Sequence, residues 1–206
     1  MLLIDKPRGM SSFAVVAQAR RSLHVQRVGH AGTLDPLASG LLIVLVGRDE
    51  TKQQDRFMKL EKEYEVTIEL GKFSTTDDAE GGITENTELK ECTEEEIQKK
   101  VQQFVGTIEQ TPPAYSAIHI DGERAYKLAR RGETVAMPTR TVTIHGIEIL
   151  EYAWPMLSLR VQCSHGTYIR SLARDLGGYV TVLRRTKIGE YDVTNAIAPN
   201  QMMRVY

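Results

Sequence analysis

Apolar residues recur at every second position in several parts of the chain, which is the pattern of a half-buried β-strand. Residues 64–70 and 157–163 both follow this pattern. Residues 142–149 follow it with a change of phase near Gly146, which predicts a β-bulge. Residues 41–46 are instead a continuous apolar run, LLIVLV, which also predicts a strand.

Helix signals lie between these strands. Ser11 and Ser12 can cap a helix that carries Phe13, Val16 and Ala17 on one face.

Three further helices have recognisable ends. Residues 93–96, TEEE, form a capping box that opens a helix to about residue 104. A short basic helix is predicted over residues 125–131, where the following glycine ends it. Another is predicted over residues 167–176, and the glycine pair after it stops it.

Many alternating strands with interspersed helices predict an α+β fold around a mostly antiparallel central sheet flanked by helices. A short strand is expected at residues 2–4, before the first helix. The length of 206 residues fits a single domain with an insertion. Residues 112–140 lack strong apolar periodicity and lie between strands, so they are expected to be an inserted surface segment that folds over a ligand.

Composition excludes several classes of protein. Cys92 and Cys163 are the only cysteines, which argues against a disulfide framework and for a reducing cytoplasm. The five histidines are scattered, so we expect no metal site. The sequence has no apolar run of the roughly 20 residues that span a membrane, and its first residues do not resemble a signal peptide.

The net charge of −1 hides an uneven distribution. Residues 77–96 contain nine acidic residues and one basic residue, and the rest of the chain has 25 basic and 18 acidic residues. Basic clusters can follow the phosphates of a nucleic acid even in a protein that is neutral overall, although each could also be a solvated helix face. The clusters are Arg20-Arg21-Arg27, Arg124-Lys127-Arg130-Arg131 and Arg184-Arg185-Lys187.

The most informative segment is residues 29–40, GHAGTLDPLASG. Pro36 restricts Asp35 to an extended backbone, and Gly32 and Gly40 permit turns that other residues resist. A carboxylate in such a loop is aimed by the backbone. Taken alone, the segment also fits a turn in which Asp35 caps the next element.

This segment resembles the catalytic motif of the TruB family of tRNA pseudouridine synthases. Four further segments resemble the family's Lys-Pro motif, tyrosine motif, RNA-clamping thumb and arginine motif. They are residues 5–12, 62–81, 110–126 and 163–185. The resemblance therefore covers almost the whole chain and implies a pseudouridine synthase fold, with residues 112–140 as a thumb-like insertion.

The resemblance implies an enzyme that converts uridine to pseudouridine in the T-loop of tRNA, at position 55. The reaction breaks the N1–C1′ bond and joins the same uracil through C5, so we expect no cofactor and no metal. The family motif makes Asp35 the catalytic carboxylate, with three routes open to it: attack on the sugar, attack on the base, or removal of a sugar proton. Arg170 is expected to pair with Asp35, and Tyr64 to stack on the uracil or move a proton at C5.

The same resemblance assigns contacts with the RNA. The residues expected to bind the substrate uridine or to fill the space that it leaves are His30, Lys6, Tyr168, Ile169 and Leu183. Core packing is an open alternative for Tyr168, Ile169 and Leu183. Those expected to contact the RNA backbone are Arg124, Lys127, Arg130, Arg131 and Arg184.

The expected partner is the T-arm stem-loop of tRNA, bound by a cytoplasmic monomer that needs no membrane and no obligatory protein partner. Family members usually continue into a PUA domain, and this sequence ends at Tyr206, so we expect one catalytic domain over residues 1–206 and no PUA domain. One alternative is a non-catalytic RNA-binding or RNA-folding module on the same scaffold. Another is a guide-RNA-dependent relative, although such proteins depend on extra domains and partners.

Overall fold

Strands outnumber helices in the structure, a computed structural model that describes residues 1–120 and 122–204. The chain divides into two compact units. Unit 1 comprises residues 1–65, 162–165 and the chain from residue 182 onward, and unit 2 comprises residues 66–161 and 166–181.

The described residues contain six α-helices and two short 3₁₀ segments. The helices are α1 (Ser12–Leu23), α2 (Arg48–Lys52), α3 (Gln54–Met58), α4 (Glu94–Gln102), α5 (Ala125–Arg130) and α6 (Ile169–Asp175). The 3₁₀ segments are Val193–Asn195 and Pro199–Arg204. None of the helices in the described part of the chain has the length and apolar character needed to cross a bilayer.

Thirteen strands are present in the same residues. They are β1 (Leu2–Lys6), β2 (Val28–Ala31), β3 (Ser39–Val46), β4 (Lys62–Leu70), β5 (Lys72–Ser74), β6 (Ile83–Glu85), β7 (Gly106–Gln110), β8 (His119–Ile120), β9 (Glu123–Arg124), β10 (Arg140–Ala153), β11 (Met156–Cys163), β12 (Gly178–Ile188) and β13 (Tyr191–Asp192).

In unit 1, β3 is the strand on which the others are arranged. Strand β1 pairs with it antiparallel along one edge, from Leu2 opposite Val44 to Lys6 opposite Gly40. Two strands share the other edge of β3. Strand β12 pairs parallel with β3 at Ser39 and Gly40, and β2 pairs antiparallel with it from Ile43 to Val46. The loop between β2 and β3, which carries Asp35, therefore lies where this edge changes partner.

The continuous apolar run of β3 is explained by burial on both faces. Leu42, Val44 and Val46 pack in one cluster with residues of α1, and Leu41, Ile43 and Leu45 pack in another with Phe57 of α3. All six side chains are 3% exposed or less. A strand covered on both faces has no position for a polar side chain, so the usual alternation is absent.

In unit 2, β7 pairs antiparallel with β10, and β10 is followed in the strand order by β11. Strand β10 is continuous through Gly146, and its more buried positions change there from even to odd residue numbers, as the predicted change of phase requires. Two hairpins, β5–β6 and β8–β9, form small separate sheets. The second hairpin and α5 lie within residues 112–140.

Most of the predicted elements are confirmed. Helix α4 begins with the predicted capping box, in which the Thr93 amide donates to the Glu96 carboxylate and the Glu96 amide to the Thr93 hydroxyl. It ends at Gln102, slightly before the predicted residue 104. The α+β fold with a mostly antiparallel central sheet is confirmed as well. The pairs β1–β3, β2–β3, β7–β10 and β12–β13 are antiparallel, and β3 meets β12 in a short parallel contact.

The predicted apolar face of α1 is partly wrong. Val16 is buried, but Phe13 is 65% exposed and Ala17 is half-buried. The buried positions are 12, 15, 16 and 19, which follow the helical spacing of a single face. Phe13 lies outside that face, and its ring contacts the Arg20 guanidinium instead.

Ser12 is the polar member of the buried face. Its hydroxyl donates to the Leu34 carbonyl at 2.9 Å and accepts from the Leu34 amide at 2.8 Å. A single side chain thus satisfies both backbone groups of a residue in the loop between β2 and β3, next to Asp35. This double hydrogen bond anchors the loop to α1.

We expect Ser12→Ala to lower the free energy of unfolding by about 3 kcal/mol, because it leaves a buried amide and a buried carbonyl without partners. Urea unfolding followed by circular dichroism measures the change. The control is Ser11→Ala, which removes only the N-cap hydrogen bond to Ala14 and should cost about 1 kcal/mol. Equal losses for the two variants would contradict the anchoring role of Ser12.

Candidate active site

Asp35 lies in unit 1, half-buried, in the loop that joins β2 to β3. Besides the contact with Ser12, the loop is held by a hydrogen bond from the Gly9 amide to the Pro36 carbonyl at 2.7 Å. Within the loop, the Ala38 amide donates to the Asp35 carbonyl at 3.1 Å. Hydrogen bonds within the loop and to residues outside it therefore hold the backbone around Asp35. This agrees with the prediction that the backbone fixes the direction of the Asp35 carboxylate.

The two glycines of the loop are required by geometry. Gly32 has φ +91° and Gly40 has φ +102°, in a region that other residues rarely adopt. At Gly40 a β-carbon would also collide with the backbone carbonyl of Arg185. Glycine at position 40 thus permits the close approach of β3 to β12.

Tyr64 lies on β4 in unit 1, near Asp35. Burial raises the pKa of the Tyr64 hydroxyl above its usual value, the nearby charge of Arg185 opposes this rise, and the Asp35 carboxylate adds to it. The structure therefore brings Asp35 and Tyr64, two of the three predicted catalytic residues, within electrostatic range of each other.

Arg185 belongs to one of the three basic clusters, for which the sequence left open a phosphate-binding patch or a solvated helix face. The structure shows neither at this residue, because Arg185 lies on β12 and its side chain is only 1% exposed. Its Nε donates to the Leu41 carbonyl at 2.8 Å and its Nη2 to the Gly32 carbonyl at 3.1 Å. Lys187 of the same cluster is exposed and lies 3.8 Å from Glu63 and 4.0 Å from Asp192, so two carboxylates partly offset its charge.

Arg184, expected at the RNA backbone, faces a carboxylate. Its two terminal nitrogens donate to the two carboxylate oxygens of Asp5 at 3.0 and 2.8 Å. This bidentate pair links β12 to β1. A phosphate would have to compete with Asp5 for the same donors, so the structure gives Arg184 a role in unit 1 itself.

Two further basic residues of the site have altered acidity. Lys62 is 8% exposed, and burial together with the charge of Arg185 lowers its pKa to about 8. Its ammonium donates to the carbonyls of Met58 and Leu60. Burial and the charge of Arg185 also lower the pKa of His30.

His30 lies on β2, half-buried. Its buried Nδ1 has no hydrogen-bond partner among the described residues. Its backbone carbonyl accepts from Gln54 of α3 at 3.0 Å, which ties β2 to that helix. An unpartnered ring nitrogen is compatible with the predicted contact to substrate.

Two predicted substrate residues are buried within unit 1. Lys6 is fully buried, and its Nζ donates to the Pro7 carbonyl at 3.0 Å and to the Met10 carbonyl at 2.6 Å. It therefore holds the turn that precedes α1 and does not present its ammonium to solvent. Leu183 is 7% exposed, as expected for a residue that packs in a core or lines a pocket.

Arg170, the third predicted catalytic residue, lies in unit 2 on α6. Its side chain is 6% exposed, so it is not a solvated helix arginine. Its Nη1 donates to the Thr76 carbonyl and its Nη2 to the Tyr115 carbonyl, both at 2.9 Å, and Nη1 lies 3.6 Å from the Asp78 carboxylate. The side chain thus joins α6 to the loop after β5 and to the start of the thumb-like segment.

The neighbours of Arg170 are fixed in the same way. Gln110 donates through Nε2 to the Tyr168 carbonyl at 3.1 Å and accepts from the Tyr168 amide at 2.8 Å. The Tyr168 ring lies 5.3 Å from the guanidinium of Arg140. Ile169 is 4% exposed and therefore belongs to the interior of unit 2.

The basic residues of the thumb-like segment differ in their surroundings. Arg131 donates to Glu123 at 2.7 Å and to Glu133 at 2.6 Å, and these hydrogen bonds raise its pKa. Lys127 is exposed, and the exposed Arg130 lies 5.4 Å from the Tyr126 ring. Arg124 is also exposed and donates to the Ala117 carbonyl at 2.6 Å.

Comparison with known families agrees with these motifs. The family described as TruB family pseudouridylate synthase (N terminal domain) matches residues 20–169, which is more than half of the chain. The chain belongs to this family.

Individual TruB relatives extend the match over nearly the whole chain. A tRNA pseudouridine synthase B of Thermobifida fusca is 43% identical over 216 residues, which cover 98% of this chain and 73% of the relative. The tRNA pseudouridine synthase B of Opitutus terrae is 41% identical over 203 residues, covering 96% of this chain and 84% of that protein.

Solved structures share the pseudouridine synthase fold. A chain in the crystal structure of a Cbf5-Nop10-Gar1 complex superposes with a TM-score of 0.75 at 27% identity over all of this chain and 54% of that one. This TruB-family chain thus spans about half the length of that neighbour. A pseudouridylate synthase crystal structure at 18% identity, with a TM-score of 0.52, shares the fold.

Lys62 should make the stability of the protein depend on pH. Because its pKa is about 8 in the folded protein and near 10.4 in an unfolded chain, the unfolded chain binds more protons between these values. The free energy of unfolding should therefore rise with pH in this window. Below pH 8 Lys62 is charged in both the folded and the unfolded state, so burial of its charge lowers the free energy of unfolding by the full amount. Above pH 8 the folded protein loses this proton and the loss of stability is relieved.

The measurement is urea unfolding of the wild type and of Lys62→Met at pH 7, 8, 9 and 10. The difference in stability should move by about 2 kcal/mol in favour of the wild type between pH 7 and pH 10. Comparing the two proteins at each pH removes the contribution of other titrating groups. A difference that stays constant across this range would show that Lys62 has an ordinary pKa.

Proposed function

We propose that this protein isomerises uridine to pseudouridine in tRNA, at position 55 of the T-loop, and that the Asp35 carboxylate carries the reaction. The observation that supports this most directly is the anchored loop that holds Asp35 within range of Tyr64. Relatives named tRNA pseudouridine synthase B, which cover almost the whole chain, support the choice of tRNA as substrate.

The reaction exchanges one bond of the uracil for another. The bond between N1 and C1′ breaks, the bond between C5 and C1′ forms, C5 loses its proton, and N1 of the rotated base acquires one. The protein must supply an anion near C1′, hold the detached base, and accept the C5 proton. In this proposal Asp35 is the anion, and the raised pKa of Tyr64 keeps its hydroxyl protonated at neutral pH, ready to donate or relay a proton.

The target uridine has to leave the base stack before it can reach Asp35. In unit 1, we assign the space around the extruded base to His30 and Leu183. Tyr168 and Ile169 of unit 2 enter the proposal only through their sequence motif. His30 is the best supported of these, because its ring nitrogen is buried and unpartnered in the described residues. Arg170 enters the proposal through its sequence motif, as the cation that the anionic centre requires.

Lys6 has a different role in this proposal from the one that the motif suggested. Because it is buried and donates to the Pro7 and Met10 carbonyls, it shapes the turn before α1. The same turn also contacts the loop of Asp35, because the Gly9 amide donates to the Pro36 carbonyl. Lys6 thus supports the loop and does not bind the base.

RNA backbone binding is assigned to the thumb-like segment, with Lys127, Arg130 and Arg124 as the exposed cations. Their phosphate contacts would steer the T-arm by charge, without reading its sequence. Arg131 and Arg184 contribute less in this proposal because glutamate and aspartate side chains already pair with them.

We further propose that the protein acts in the cytoplasm as a monomer without an obligatory protein partner. The neighbour with Nop10 and Gar1 is solved as a complex, and in this proposal the present protein needs no such partners. Incubation of the purified protein with an isolated T-arm stem-loop, followed by mapping of pseudouridine, tests whether a protein partner is needed. A requirement for an added protein would refute it.

Asp35→Asn should abolish pseudouridine formation while leaving the fold and RNA binding intact, because asparagine keeps the shape and loses the charge. The measurement is the single-turnover rate on a T-arm stem-loop, with RNA affinity measured separately by filter binding. Asp49→Asn is the control, since Asp49 is an exposed aspartate that pairs with Lys52. It should keep the wild-type rate.

Activity of Asp35→Asn within about tenfold of the wild type, a difference of about 1.4 kcal/mol in the barrier, would remove Asp35 from the chemistry. A wild-type protein that binds the stem-loop but forms no pseudouridine would instead support a non-catalytic RNA-binding module.

Thumb residues should differ in their effect on the salt dependence of RNA binding. Lys127→Ala and Arg130→Ala should each reduce the slope of log K against log salt by roughly 0.7 to 0.9, the value of one phosphate contact. Arg131→Ala should reduce it by much less, since two glutamates already neutralise this guanidinium. Equal changes for all three variants would show that the ion pairs of Arg131 do not limit its contact with RNA.

A further inference from the structure

One buried guanidinium in unit 1 contacts both ends of the loop that carries Asp35. Arg185 donates from Nη2 to the carbonyl of Gly32, at the start of this loop, and from Nε to the carbonyl of Leu41, the third residue of β3. The side chain is 1% exposed. It therefore closes the loop from inside the protein.

The backbone of the same residue contacts the loop as well. Arg185 pairs with Gly40 in the parallel contact between β12 and β3. A β-carbon on Gly40 would lie 2.8 Å from the Arg185 amide nitrogen, so the backbones of β3 and β12 are in direct contact there. Main chain and side chain of Arg185 together fix where the loop ends.

Arg185 also lies near Tyr64, because its charge opposes the rise in the pKa of the Tyr64 hydroxyl that burial causes. The guanidinium that closes the loop of Asp35 is therefore within electrostatic range of the second proposed catalytic side chain.

This set of contacts needs an arginine. A guanidinium presents five N–H donors in a rigid planar fork, whereas a lysine ammonium is a single point on a flexible stem. The carbonyls of Gly32 and Leu41, which accept from different nitrogens of the guanidinium, match the fork. A phosphate-binding role does not, because a side chain buried to this extent does not reach an RNA backbone in the described structure.

We propose that Arg185 is a positioning residue for pseudouridine formation, which fixes the loop of Asp35 in one geometry near Tyr64 without itself touching the reacting atoms. This inference rests on the proposed function, in which Asp35 and Tyr64 perform the chemistry. Displacement of a catalytic group by about 1 Å costs on the order of a hundredfold in rate, so loss of these contacts should reduce turnover and leave RNA binding unchanged.

The test compares Arg185→Lys and Arg185→Met with the wild type and with Arg160→Met. Arg160 lies on β11, is paired with Glu148 and has no assigned role in the site, so its variant controls for the loss of an arginine from a strand. Circular dichroism and thermal unfolding establish which variants fold. The folded ones are assayed for kcat and KM on a T-arm stem-loop, and for hydrogen exchange at the Ala38 amide.

We expect Arg185→Met to lower kcat by about a hundredfold or more, with KM and RNA affinity within about threefold of the wild type. Arg185→Lys keeps the charge and can reach only part of the contacts, so it should recover roughly tenfold of this loss. If the methionine variant does not fold, the lysine variant carries the test. In Arg185→Lys the Ala38 amide should exchange its hydrogen faster than in the wild type. The control Arg160→Met should keep kcat within about twofold of the wild type.

A folded Arg185→Lys with wild-type kcat, or with wild-type exchange at Ala38, would overturn the inference. A change confined to KM and RNA affinity would overturn it too, because it would mark Arg185 as an RNA contact. These outcomes are distinct from failure of the proposed function, which would appear as a wild-type protein that forms no pseudouridine at all.

Discussion

The parallel contact between Gly40 and Arg185 is the constraint on which the site in unit 1 depends. Strand β3 can approach β12 this closely only because residue 40 has no side chain, and its positive φ turns the chain out of the loop at the same point. The other end of the loop follows β2, which occupies the same edge of β3 farther along. The path of the Asp35 loop is therefore set by two strand pairings, and Ser12 and Gly9 fix what lies between them.

Buried cations are the second property that organises unit 1. Lys6, Lys62 and Arg185 are each 8% exposed or less, and each donates to backbone carbonyls. Those hydrogen bonds offset part of the cost of removing a charge from water. Burial, and after it the charge of Arg185, lowers the pKa of Lys62 and His30. The same positive charge favours negatively charged groups such as a carboxylate or an RNA phosphate.

Local patterns in the sequence predicted what local physics decides. The alternation in β4 and β11, the run in β3 and the capping box of α4 were confirmed because side-chain period and capping depend on neighbours in sequence. Phe13 was wrongly placed in a buried face because hydrophobicity alone does not show which side of α1 meets the protein. The same limit applied to Arg184 and Arg185, since adjacent arginines in a strand point to opposite sides and have unrelated surroundings.

By itself, the sequence determined the family, the α+β fold and the identity of the loop that carries Asp35, because glycines, a proline and an acid at fixed spacing restrict the backbone directly. Only the tertiary structure decided which charged side chains are buried and what they contact. Arg185 meets Gly32 and Leu41 across more than a hundred residues of chain, and Lys62 and Tyr64 acquire their altered pKa values from the same assembly. Such contacts form when distant strands pair, and no pattern among neighbouring residues encodes them.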